Sequence, residues 1–200
     1  MSPLRRYAET KEAKVMKTLL VGFKKYATHL TNPSEEVLSS FLGKKNVQTL
    51  LLEASYDKSK RTLEKAIEKD RPDLIVVLNL SPYQAIPALE QYAYNQMDSM
   101  QPDETGVVKK GEEIFPGEAK SLSTSFDLSS LHQSCCSAEK DCSVSVDGGR
   151  FFDNEAYYIA LRSGVPSLML HLPLEGDFPV EEDVDLISLL VGLAEKNLPA

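Results

Sequence analysis

Residues 73–78 read Asp-Leu-Ile-Val-Val-Leu. The run is apolar from Leu74 onward, rich in β-branched side chains, and too short for a buried helix. It lacks the polar–apolar alternation of a half-exposed strand, so it reads as a strand covered on both faces, the type found in parallel sheets. Upstream, Lys58 to Lys69 carries Leu63, Ala66 and Ile67 at helical spacing and stops before Pro72. Thr18 to Phe23 (TLLVGF) is a further short apolar run read as a strand, and Val47 to Leu52 is read as another strand. Between them Asn32 and Pro33 supply an N-cap and a first helical residue for a helix reaching about Phe41. Downstream, Ser99 to Lys120 reads as loops and short strands, and Asp127 to Cys136 as a weak helix. Cys142 to Val146 is then a strand, Phe152 to Arg162 a helix ending near Gly164, Ser167 to Leu172 a strand, and Glu181 to Lys196 a closing helix. Apolar strands alternating with amphipathic helices predict an α/β fold, a three-layer α/β/α sandwich with a mostly parallel central sheet.

The chain has 200 residues, which suits one domain, expected over 17–200 behind a polar N-terminal extension at 1–16. A net charge of -8 without a basic stripe argues against nucleic acid or an anionic membrane as partner. No apolar run is long enough to span a bilayer, and the charged segment from Met1 to Met16 is unlike a secretory signal. Cys135, Cys136 and Cys142 form an odd, clustered set. They are no disulfide framework and are expected to be small apolar filler in a cytoplasmic protein. No cofactor motif and no metal-ligand spacing is present, so neither is expected. A homo-oligomer is left open.

In open α/β sheets ligands bind beyond the carboxyl ends of the strands. Four segments belong there: Gly22 to Tyr26, Leu80 to Glu90, Gly148 to Asn154, and His171-Leu172-Pro173. Among three histidines only His171 ends a buried strand. Taken alone it reads as a hydrogen-bonded core histidine, Glu90 as a paired or solvated carboxylate, and Gly148-Gly149 as a turn.

Taken in order, the segments resemble the pyroglutamyl-peptidase I family. Gly22-Phe23-x-x-Tyr26 before Asn32-Pro33-Ser34 resembles that family's Gly-Phe-x-x-Phe-Gly-Gly and Asn-Pro-Ser. Ala85 to Asn95 resembles the segment around its catalytic glutamate, and Pro102-Asp103-Glu104-x-Gly106 the Pro-Asp-Asn-x-Gly that follows. Asp147 to Asn154 (DGGRFFDN) resembles Asp-Ala-Gly-Thr-Phe-x-Cys-Asn, and His171-Leu172-Pro173 resembles His-Val-Pro.

The resemblance implies the family fold and a site made of Glu90 as acidic member, His171 as base, and Asp153 at the nucleophile position, where the family has cysteine. It places Phe23 and Tyr26 against the pyroglutamyl ring, and Leu80 where the family has a lactam-binding glutamine. An aspartate is a far poorer nucleophile towards an amide than a thiolate. Gln91 replaces a family arginine, and Ala27-Thr28 replaces a glycine pair. The expectation is a peptidase-like protein without cysteine peptidase activity, keeping a cleft for an unknown small molecule or peptide N-terminus. The alternatives are a hydrolase of changed chemistry, working through water or a divalent metal held by Asp153, His171 and Glu90, and residual removal of N-terminal pyroglutamate.

Overall fold

The structure, a computed structural model, describes residues 15–27, 29–174 and 178–198, so most of the extension expected at 1–16 lies outside the described residues. The chain runs β1 (Thr18–Phe23), α1 (Pro33–Ser40), β2 (Val47–Leu52), α2 (Tyr56–Asp70), β3 (Leu74–Leu80), β4 (Ala88–Glu90), β5 (Tyr92–Tyr94) and β6 (Met97–Asp98). It continues through β7 (Lys110–Glu112), β8 (Ser121–Ser123), α3 (Leu128–Ser137), β9 (Ser143–Ser145), α4 (Phe152–Arg162), β10 (Ser167–Leu172) and α5 (Val180–Lys196). Six strands make the main sheet in the order β2-β1-β3-β10-β4-β9. β2, β1, β3 and β10 are parallel, β4 is antiparallel to β10, and β9 is parallel to β4. The expected mostly parallel α/β sheet is therefore present. The pairs β5–β8 and β6–β7 form two small antiparallel ribbons.

Alternation along the strands sorts the core into two layers. Leu74, Val76 and Leu78 of β3 join Leu168 and Leu170 of β10 in one layer, with Val37 of α1, Leu131 of α3 and Leu190 of α5. Ile75 and Val77 join Met169, Leu63 of α2 and Ala156 and Tyr157 of α4 in the other. Each such aliphatic side chain, fully removed from water, contributes about 1.5–3 kcal/mol. That burial holds β3 at the centre, where an apolar run of its kind can hide both faces.

Two family-like motifs have local structural work. Asn32 caps α1 by accepting from Ser34 N at 3.1 Å, and the Ser34 hydroxyl accepts from Phe23 N at 3.0 Å. The Asn-Pro-Ser turn thereby ties the start of α1 to the end of β1. Gly22 makes the approach possible, since a Cβ there would lie 2.7 Å from Leu38 Cδ1. Asp103 is buried and accepts from Tyr56 N and Val107 N, and Glu104 accepts from Ala27 N at 2.7 Å. That loop clamps the start of α2 and the β1–α1 loop together.

Three readings need correction. β3 runs on through Asn79 and Leu80, two residues past the expected end, because β10 pairs with it up to Leu172↔Leu80. α2 begins at Tyr56, two residues before Lys58, where the Asp103 carboxylate takes its first free amide. Cys135 and Cys142 are buried filler as expected, but Cys136 is exposed, with its sulfur 3.6 Å from His132 Nε2. Consecutive helical residues point about 100° apart, so α3 cannot turn both Cys135 and Cys136 inward. Among the described residues no helix is long and apolar enough to cross a membrane.

Candidate active site

The same alternation that builds the core places the polar residues. Asn79 and His171 lie opposite each other on β3 and β10, on the face that carries Ile75, Val77 and Met169 and is covered by α4. α4 starts beneath them, with Asp153 in its first turn. β4 runs antiparallel beside β10, pairing Ala88 with His171, and brings Glu90 to the other edge of the imidazole. A core strand, an edge strand and a helix N-terminus therefore converge on one histidine.

His171 Nδ1 lies 2.8 Å from Glu90 Oε1, and Nε2 lies 2.9 Å from Asp153 Oδ2. Burial pushes the imidazolium down, but the Asp153 and Glu90 carboxylates more than offset this and hold the ring up at about 9, so both N–H groups donate at neutral pH. Burial likewise pushes Asp153 up, yet the His171 hydrogen bond and charge, with Asn79 and Asn154, hold it below the usual carboxylate range. Asp153 Oδ2 also accepts from Asn79 Nδ2 at 2.8 Å and Oδ1 from Asn154 N at 2.9 Å. Asn32 Nδ2 in turn donates to Asn79 Oδ1 at 3.0 Å. The result is a buried chain from the cap of α1 to Glu90, with Glu90, Asp153 and His171 only 1%, 5% and 7% exposed. Among the described residues Glu90 Oε2 has no hydrogen-bond partner, and Gly148 packs against that carboxylate so closely that a Cβ would meet it at 3.2–3.3 Å.

Phe23 is fully buried. Phe152, the first residue of α4, stands between it and Tyr26, with ring centroids 4.9 Å from Phe23 and 5.0 Å from Tyr26. Phe151 packs edge-on to Tyr26 at 6.0 Å. Leu80 is buried at the end of β3, and its carbonyl accepts from the Tyr26 hydroxyl at 3.1 Å. By strand alternation its side chain shares the sheet face of Leu74, Val76 and Leu78, opposite the face that carries Phe23.

An open cleft of about 300 Å³ lies just outside, walled by Tyr26, Tyr83, Asp98, Met100, Arg150 and Phe151 among others. Of the six residues expected at the site, Glu90, Asp153 and His171 come into direct contact, and Tyr26 alone lines this cleft. Among the described residues no group of three His, Cys, Asp or Glu side chains is disposed to hold a metal ion. The sequence reading misses Asn79. Its signal is a polar amide inside the run Leu74–Leu80, which a buried strand tolerates only when the amide is satisfied.

The family model for pyroglutamyl peptidase matches residues 16–171. The chain belongs to this family. Among its relatives is the pyrrolidone-carboxylate peptidase of Pyrococcus furiosus, 24% identical over 168 residues, spanning 79% of this chain and 81% of that protein. The pyrrolidone-carboxylate peptidase of Saccharolobus islandicus is 26% identical over 171 residues, 82% of each chain. Among solved structures, a mutant of the Pyrococcus furiosus pyrrolidone carboxyl peptidase superposes with a TM-score of 0.86 at 21% identity, covering 92% of this chain and all (100%) of that one. The likeness in structure carries the fold, and the family match carries the membership. The matched segment ends on His171, so all three contacting residues of the buried site fall within it.

Proposed function

We propose that this chain is a pyroglutamyl-peptidase family protein that binds a small molecule or a peptide N-terminus and does not cleave by a cysteine mechanism. The observation that carries the reading is Asp153, which the motif resemblance sets at the cysteine position and which faces His171 Nε2 at 2.9 Å. A catalytic base needs a free ring nitrogen aimed at the group it deprotonates. Here both nitrogens of His171 are held by carboxylates, and three protein donors hold Asp153. The pair acts as a buried ion pair rather than as nucleophile and base. Phe152 supports the same reading, because its ring occupies the space between Phe23 and Tyr26 where the resemblance places the pyroglutamyl ring. Of the thiols, Cys135 and Cys142 lie in the opposite core layer, and Cys136 is on the outside of α3.

The test is release of a chromophore from a pyroglutamyl amide by the purified protein. The expected result is no thiol-dependent turnover. Turnover comparable to an active family member, abolished by thiol alkylation, would overturn the reading.

A further inference from the structure

The cleft beside the buried site has a composition of its own. Tyr26, Tyr83 and Phe151 supply three aromatic rings to its wall, and Met100 a thioether. Tyr83 and Met100 are each 94% exposed, so two apolar side chains stand uncovered at the rim. The cleft also holds an acid. Asp98 lines it, and among the described residues its carboxylate makes no ion pair or side-chain hydrogen bond.

Two other charged or titratable groups line the wall. Arg150 is already engaged, with its Nη1 on Asp147 at 2.6 Å and its guanidinium 3.5 Å from the centre of the Tyr94 ring. His29 lies edge-on to Tyr26 at 5.7 Å. Behind the wall, two carboxylates share one imidazolium at His171. An uncovered carboxylate among aromatic rings, backed by a buried excess of acid, favours a cation, because ring faces carry negative charge and a carboxylate completes the pairing.

We propose that this cleft takes an unmodified peptide N-terminus, its α-ammonium set against Asp98 and between the rings of Tyr26, Tyr83 and Phe151. The inference rests on the binding role given above and names the ligand class. Phe152 closes the inner slot against a neutral lactam, while the outer cleft offers charge and rings to an ammonium. The first side chain of such a peptide meets Met100 and Pro82, which favours an apolar residue there.

Calorimetric titration of the full chain with three matched peptides tests the idea: Leu-Ala-Gly-Ala, its N-acetyl form, and pyroglutamyl-Ala-Gly-Ala. The free amine is expected to bind at least about tenfold more tightly than either blocked peptide, with affinity falling as salt is raised. Asp98→Asn and Tyr83→Ala, both at exposed positions, are each expected to weaken it about five- to tenfold with unchanged circular dichroism. Equal binding of the free and acetylated peptides, no binding of the free amine, or no effect of Asp98→Asn overturns the inference. Cleavage of the pyroglutamyl peptide is a separate outcome: it overturns the non-peptidase reading, and the comparison of free with acetylated peptide still decides the ligand class.

Discussion

His171 Nε2 and Asp153 Oδ2 stand 2.9 Å apart in a site that water barely reaches, with Glu90 on the other nitrogen of the same ring. The fold thus favours the charged form of both partners. For His171 the folded value is raised, to about 9 from an ordinary 6.5. Its contribution to stability is complete below about pH 6.5 and is lost as pH rises through about 9. For Asp153 the folded value is lowered. Its contribution is present above the ordinary aspartate range and is lost as pH falls through the lower folded value. The two together predict a stability plateau from about pH 4 to 6.5 and a decline towards pH 10. Urea unfolding of the protein and of Asp153→Asn across that range checks it. The difference between the two should shrink towards pH 10, and a difference independent of pH would show that the pair is not coupled.

Replacing Asp153 by cysteine puts a thiol where the resembling motif has one, but leaves its surroundings unchanged. The Phe152 ring still stands between Phe23 and Tyr26. Asp153→Cys alone is therefore expected to turn over a pyroglutamyl amide near background. Asp153→Cys with Phe152→Val, which opens the slot, should rise at least about tenfold above the single variant. A single Asp153→Cys variant with activity like that of an active family member would mean that Phe152 moves aside at little cost.

Much of this arrangement is legible in the sequence, for a physical reason. β1, β2 and β10, and also α4, match their expected spans because each is a mainly apolar strand or a helix bounded by clear breaks such as Gly164. His171 can be singled out because it alone among the histidines ends such a run. β4 is not legible: it is three residues long, follows Pro87, and exists because β10 and β9 flank it. The Phe152 plug is not legible either. Its position depends on how α4 is seated over the end of β1, and no local pattern in residues 147–154 encodes that.

Asn79 is the link a reader of the sequence would pass over, and its removal has a calculable effect. Its amide donates to Asp153 and accepts from Asn32, all three buried. Asn79→Ala takes one donor from Asp153, which keeps His171 and Asn154, and leaves Asn32 Nδ2 only its 3.4 Å contact with the Lys24 carbonyl, and it opens a small cavity. The expected loss is about 1–3 kcal/mol of unfolding free energy, measured in urea. Asp153 also loses a donor to its charged form, so its depressed pKa should rise, moving the acid limb of the stability profile to higher pH. A loss below about 0.5 kcal/mol would show that the chain from Asn32 to Glu90 is not held through this residue.

The loop that carries Tyr26 contains a backbone conformation that its sequence does not favour. Ala27 has a φ of 55°, in the left-handed region, at a position where the resembling motif has glycine. A Cβ there costs about 1–2 kcal/mol, while glycine would lose about 0.5–1 kcal/mol through the greater freedom of its unfolded chain. The balance predicts that Ala27→Gly raises stability by about 0.5–1 kcal/mol, or about 1–4 °C in Tm for a chain of this size. The hydrogen bond from Ala27 N to Glu104 survives the change, since it uses only the backbone of residue 27. The conformation is therefore held from outside, by the clamp of Glu104, and the alanine narrows what the loop can do once released. Greater freedom next to Tyr26 should then loosen the wall of the cleft, so the same variant is expected to bind the free-amine peptide more weakly while melting higher. Thermal unfolding and calorimetry on one preparation check both signs. A variant that melts lower would show that the left-handed backbone at Ala27 carries no strain.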